Sequence, residues 1–187
     1  MFLIKPNIIT RKEVKYASNR LALIVGRFQP LHEGHKFLIR KAIEENESVA
    51  IAIGQKRKGE LLTYKERKGR LQEFFNNQIA KKRIVRLVYM RDEKTDKIWL
   101  KKLKKKLNIT ERTKNFFYTG DWDLPEAYVA ELKSSQIDLR KVKRIIFDYQ
   151  SADGKTYRVS SATEIRSLTC REKQNTKANG KGIGSRG

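Results

Sequence analysis

Residues 21–25, Leu-Ala-Leu-Ile-Val, form an apolar run that ends at Gly26 and passes through Arg27-Phe28-Gln29-Pro30-Leu31-His32-Glu33-Gly34-His35 into the stretch 36–46. A short apolar run closed by glycine reads as a buried strand, and the helical spacing of Phe37, Leu38, Ile39, Ala42 and Ile43 reads as a helix. A strand feeding straight into a helix is the first half of a parallel β-α-β unit, which commits the chain to an α/β architecture. The connecting turn carries both histidines of the protein. Two imidazoles and the open N–H groups of a helix start meet there, and that combination suits a phosphate.

The alternation continues along the chain. Strands are expected at 21–25, 49–53, 84–90, 115–119 and 144–147, and helices at 36–46, 64–75, 98–107, 125–134 and just after Ser161. Pro125 falls at a helix start, where its missing N–H costs nothing. Repeated β-α-β units predict a mostly parallel, Rossmann-like sheet with helices on both faces, with ligands bound beyond the strand C-termini. The histidine turn follows the C-terminal end of the first strand, where that rule puts a ligand. The expected organisation is a basic N-terminal arm over 1–20, one domain over 21–170, and a polar tail over 171–187 without apolar periodicity, read as disordered.

Charge and composition narrow the classes. Lys and Arg number 43 against 21 Asp and Glu, a formal charge of +22. Arm and tail each contribute five basic side chains against one acidic, so most of the excess lies in the central domain. Part of it is the run Lys101-Lys102-Leu103-Lys104-Lys105-Lys106, which reads as the solvated face of an amphipathic helix. The basic surface also leaves nucleic acid open as a partner. An apolar fraction of 39% suffices for a core. No run approaches the roughly 20 apolar residues of a membrane span, so no membrane partner is expected. Lys5 and Pro6 interrupt the apolar start, unlike a secretory signal, and the lone Cys170 permits no internal disulfide; a cytoplasmic setting is expected.

His32 and His35, three residues apart, face one side of a helical turn, with Glu33 between them on another. With no third histidine and a single cysteine, they do not complete a typical zinc set. Acyl transfer needs a nucleophile paired with a base, which two histidines alone do not supply. Stabilising a phosphoryl transition state needs only fixed donors, and that fits the pair. Gly34 would let backbone approach the phosphate, and Arg27 adds a permanent charge.

Gly26 to His35 resembles the first signature of the nucleotidylyltransferase superfamily, H-x-G-H after the first strand. Ser161-Ala162-Thr163-Glu164-Ile165-Arg166 resembles its second, S-x-T-x-I-R. The opening Gly-Arg-Phe-Gln-Pro, with Asp92, Asp96, Ile98 and Trp99 and the later Tyr118-Thr119-Gly120-Asp121, is similar to the archaeal-type nicotinamide-nucleotide adenylyltransferases. Thr63, Glu66 and Arg67 match that family's T-x-x-E-R, after a shorter loop at 54–60. Aspartate stands at Asp96 and Asp121 where the family has asparagine.

The resemblance implies transfer of AMP from ATP to nicotinamide mononucleotide, giving NAD and pyrophosphate. It implies catalytic roles for His32, His35 and Arg166 at the phosphates. Gly26, Arg27, Phe28, Gly34, Ser161 and Thr163 would bind ATP, and Trp99, Gly120 and Asp121 the acceptor. Mg2+ would enter held mainly by the ATP phosphates, with no metal site of the protein's own, and the enzyme is expected to be a homo-oligomer. A cytidylyltransferase, or an adenylyltransferase for another phosphorylated acceptor, is the alternative within this class. A non-catalytic nucleic-acid-binding protein that keeps the fold is the alternative outside it.

Overall fold

The computed structural model describes residues 20–60, 62–109, 113–121, 124–151, 154–161, 163–165 and 167–168. The expected arm, apart from Arg20, and the tail from 171 lie outside these residues. The chain runs β1 (Arg20–Gly26), α1 (Glu33–Glu45), β2 (Ser48–Gly54), α2 (Tyr64–Phe74), α3 (Asn76–Ala80), β3 (Ile84–Met90), α4 (Asp96–Leu107), β4 (Lys114–Thr119), α5 (Glu126–Ser134), β5 (Ile137–Lys141), β6 (Phe147–Gln150) and β7 (Thr156–Val159). Five strands make one sheet in the order β3-β2-β1-β4-β5, every pair parallel. This is the expected Rossmann-like arrangement. The order reverses between β1 and β4, so the C-terminal ends of those two strands flank the switch point.

Period-two alternation divides the core between the two faces of the sheet. Ala22, Ile24, Ile51, Ile53 and Phe116 pack with Ile39 and Ala42 of α1 and Leu71 of α2 on one face. Leu21, Leu23, Ala50, Ala52 and Phe117 pack with Leu100, Leu103 and Leu107 of α4 and Leu132 of α5 on the other. The strands are apolar in both registers because helices cover both sides. In α4 the leucines are buried while Lys101, Lys102, Lys105 and Lys106 are exposed, the amphipathic division read from the sequence. Among the described residues no helix is long and apolar enough to cross a membrane.

Two expectations need correction. The fifth parallel strand is β5 at Ile137–Lys141, not 144–147. Residues 142–146 form an irregular connection, and Phe147 opens a separate antiparallel hairpin in which β6 pairs with β7. The apolar run Ile145-Ile146-Phe147 imitates a buried strand, yet Ile146 is 63% exposed. The true strand lies at the edge of the sheet, so only Ile137 is fully buried and its alternating Asp138, Arg140 and Lys141 hide the signal. The short helix α3 also had no apolar period to announce it. Helix α1 begins at Glu33, so Gly34 and His35 lie inside its first turn.

At the far end of the sheet from the switch point, the Tyr118 hydroxyl donates to Glu45 Oε2 at 2.6 Å and accepts from Asn46 Nδ2 at 2.8 Å. The Tyr118 bond, helped by Lys41, holds the Glu45 carboxyl below the usual glutamate range. A carboxylate with a depressed folded pKa stabilises fully above its ordinary pKa and ceases to as pH falls through the folded value. Glu45→Gln is therefore expected to be less stable than the wild type at pH 7 and to converge with it towards pH 3. Melting temperatures across that range check this, and a constant difference refutes it.

Candidate active site

A cavity of about 440 Å3 opens at the switch point. It brings together residues from both ends of the sequence. Gly26, Arg27, Phe28, His32, Gly34 and His35 come from the turn after β1, and Ser161 and Thr163 from the segment after β7. Gly120 and Asp121 follow β4, and Trp99 reaches in from α4. Every described residue expected at the site therefore lines one cavity. Arg166 and Ala162 lie outside the described residues.

His32 is the N-cap of α1, with extended backbone (φ −129°, ψ 172°). Its side chain makes no capping hydrogen bond, so the imidazole is turned to other contacts. Its ring centroid lies 3.8 Å from that of His35, at 31° between planes. On the hairpin side it stacks on Phe147 at 5.2 Å and 16°. His35 in turn meets Phe28 at 4.9 Å. Glu33 points elsewhere and pairs with Lys36 at 2.6 Å.

At Gly34 the missing side chain has a further use. A Cβ there would stand 3.0 Å from His32 Cε1, 3.1 Å from its Nδ1 and 3.5 Å from Phe147 Cε1. The missing side chain makes room for the His32 ring. Gly26 has the same relation to Phe28, whose ring would lie 2.9 Å from a Cβ. Phe28 itself is in the left-handed region (φ 52°), which folds its buried ring back over the strand end.

The turn is anchored from behind. Arg67 of α2, almost wholly buried, donates through Nη1 to the carbonyls of Arg27 and Gly54, both at 2.8 Å, and through Nε to that of Thr63 at 3.2 Å. Burial pushes its pKa down, opposed by nearby Glu60, and it stays charged at any physiological pH. Gln29, also buried, exchanges two hydrogen bonds with the backbone of Leu62. Thr63 and Glu66 close a capping box on α2. The T-x-x-E-R match is thus a brace for the site.

The charges around the cavity come partly paired. Arg27 Nε lies 3.3 Å from Glu60 Oε1, while its buried Nη1 has no hydrogen-bond partner among the described residues. A buried guanidinium N–H of this kind calls for an anionic acceptor. Glu60 Oε2 also accepts from the backbone N–H of Arg57, which lines the cavity. Arg144 donates through Nε to the Gly120 carbonyl at 2.9 Å and pairs through Nη2 with Asp121. Sequence reasoning missed Lys143 and Arg144 on this wall because it assigned Arg144 to a strand, and it missed Glu60 because nothing in the loop marks its partner.

The second signature is both a cap and a wall. Ser161 Oγ accepts from Glu164 N at 3.3 Å, and Ser160 N donates to Glu164 Oε2 at 2.7 Å. These bonds hold the Glu164 carboxyl below its ordinary range and fix the start of the last helical segment against the cavity. Trp99 lines the cavity too, but its ring also leans on Tyr128 at 6.0 Å and packs on the α4–α5 core. Among the described residues no three His, Cys, Asp or Glu side chains cluster to hold a metal ion; Asp92 and Asp121 are the carboxylates on the cavity wall.

Residues 23–168 match the model of a family described as cytidylyltransferase-like. The chain belongs to that family. Within this nucleotidylyltransferase group, it is 28% identical over 81 residues to the nicotinamide-nucleotide adenylyltransferase of Thermoplasma acidophilum, covering 42% of this chain and 45% of the relative. It is 54% identical over 33 residues to that of Picrophilus torridus, covering 18% and 20%. In both cases the match spans less than half of the relative. Among solved structures, a bifunctional NMN adenylyltransferase/ADP ribose pyrophosphatase from Francisella tularensis superposes with a TM-score of 0.59 at 19% identity, over 80% of this chain and 42% of that one. The NadR protein in complex with NR gives 0.54 at 21%, over 67% and 37%. The fold of this cytidylyltransferase-like chain is thereby shared.

Two outcomes test this construction. Arg67→Met leaves the carbonyls of Arg27 and Gly54 without this donor, and urea denaturation should show a loss of about 2–4 kcal/mol; unchanged stability refutes the brace. Gly34→Ala suits the helix but crowds His32, so stability should stay within about 1 kcal/mol of wild type. The crowding should shift an imidazole NMR signal of the protein's two histidines, and unmoved signals refute it.

Proposed function

We propose that this protein transfers AMP from ATP to nicotinamide mononucleotide, releasing pyrophosphate and forming NAD. The observation that carries the reading is the convergence of His32 and His35 with Ser161 and Thr163 on one cavity at the switch point. The 28% and 54% identities to nicotinamide-nucleotide adenylyltransferases support the choice of acceptor.

In this reading an oxygen of the acceptor phosphate, already ionised at neutral pH, attacks the α-phosphorus of ATP. The bond from that phosphorus to the bridging oxygen breaks, and its electron pair leaves with pyrophosphate. No proton need be removed, so a general base is unnecessary. The residues' work is to align two anions and to meet the charge that develops between them. His32 and His35 donate at the α-phosphate, and the unpartnered Nη1 of Arg27 adds a charged donor. The N–H groups at the start of the last helical segment, with Ser161 and Thr163, take the β and γ end. Arg166, by its place in the motif, holds the same phosphates.

Trp99 and Asp121 face the acceptor side. Mg2+ entering with the triphosphate would shield its charge, and among the described residues Asp92 and Asp121 are the wall carboxylates that would face it. A structural neighbour was crystallised with AMP and a manganese ion, in keeping with a divalent cation at such a site.

Purified protein given ATP or CTP with nicotinamide mononucleotide and other phosphorylated acceptors, scored by pyrophosphate release, tests the reading. Turnover is expected with ATP and nicotinamide mononucleotide, and consumption of CTP alone overturns it. His35→Ala should lower turnover by about 10²–10³-fold with an unchanged circular dichroism spectrum. Full activity in that variant overturns the mechanism.

A further inference from the structure

We propose that Phe147 is a positioning residue that fixes the ring plane of His32 for nucleotidyl transfer; its kinetic consequence rests on the function proposed above. Phe147 does not line the cavity. It opens the β6–β7 hairpin, which pairs with no strand of the main sheet. A two-stranded ribbon is marginal alone and depends on what it packs against. Here its first residue lays an aromatic ring nearly parallel to the His32 imidazole, 16° between planes and 5.2 Å between centroids.

The need for such a contact follows from the torsion of the imidazole. Its χ2 is an sp³–sp² rotation with a broad profile, so an unpacked ring swings through wide angles at little cost. The His32 side chain is not pinned by capping its helix. Ring contacts with His35 and Phe147 surround it instead, and the absent Cβ of Gly34 leaves space for both rings. A donor that swings points at the transition-state oxygen only part of the time, and that loss falls on turnover rather than on ground-state binding.

The hairpin also joins the two signatures. Phe147 pairs with Val159, which is buried and stands two residues before Ser161. The same short ribbon that orients His32 therefore delivers Ser161 to the cavity. The stack sets the distance between the imidazole donors and the cap that would take the far phosphates.

Two replacements separate stacking from simple filling. Phe147→Leu keeps the apolar bulk without a ring, and Phe147→Tyr keeps the ring. Phe147→Leu should lower kcat about tenfold while KM for ATP moves less than about twofold, and Phe147→Tyr should stay near wild type. Because the protein contains only two histidines, its imidazole Cε1–H NMR signals are two, and His32→Gln identifies which belongs to His32. That signal, shielded by the Phe147 ring current, should move downfield in Phe147→Leu and hold in Phe147→Tyr. An unmoved signal, or equal kcat in wild type and Phe147→Leu, overturns the proposal. The NMR measurement needs no turnover. A wild type inactive with ATP and nicotinamide mononucleotide overturns the proposed function, whereas a His32 signal indifferent to Phe147 overturns the stack.

Discussion

One buried guanidinium holds the site's framework. Where β1 and β2 end, the ladder of hydrogen bonds ends too, and the carbonyls of Arg27 and Gly54 would be left facing the interior. Arg67 reaches both with one nitrogen and touches the N-cap residue of its own helix with another. A planar fork of donors can do this, whereas the compact ammonium of lysine cannot span the three acceptors. The cost of burying the charge is offset in part by the carbonyl dipoles and the nearby Glu60 carboxylate. Two strand ends and a helix start are thus fixed relative to one another before any ligand arrives. That is the preorganisation that electrostatic catalysis needs.

On that frame, small residues and rings shape the chemistry. Gly26, Gly34 and Gly54 each leave space for a neighbouring side chain: Phe28, His32 and Arg27 respectively. None of the three requires a positive φ, and the strained backbone belongs instead to Phe28. The glycines of this turn therefore encode side-chain geometry. A Cβ at any of them would displace a group that lines the cavity, which links backbone composition directly to the placement of donors.

Much of this was legible in the sequence, for reasons that mark where legibility stops. Strands β1 to β4 and helices α2 and α4 stood out because residues buried on both faces, or on one helical stripe, leave a strong period. The edge strand β5 buries one residue fully, and an alternation of Ile137 and Leu139 with charges over five residues is too short to separate from a turn. Ile145 and Ile146 misled because their apolarity serves a cavity wall and an exposed loop rather than a sheet. Among the residues that line the cavity, those in a compact motif were legible. Glu60, Lys143 and Arg144 were not, since each gains its meaning from a partner far away in sequence. The role of Phe147 was invisible for the same reason: only the hairpin brings it to His32.

Under the proposed function, the pairing of charges bears on how the cavity would grip a triphosphate and still release its products. Among the described residues, the cations Arg27, Arg57, Lys143 and Arg144 border it. Two of them are already engaged, Arg27 with Glu60 and Arg144 with Asp121. A wall of unpaired cations would bind substrate, transition state and pyrophosphate alike, which deepens binding without speeding the chemical step. Internal carboxylates temper that uniform attraction and hold the guanidinium groups in fixed orientations. The imidazoles and the Nη1 of Arg27 are then the donors whose direction matters most. Selectivity for the transition state would follow from where those donors point, and in this fold that direction is set by Arg67 behind the turn and by the rings packed around His32.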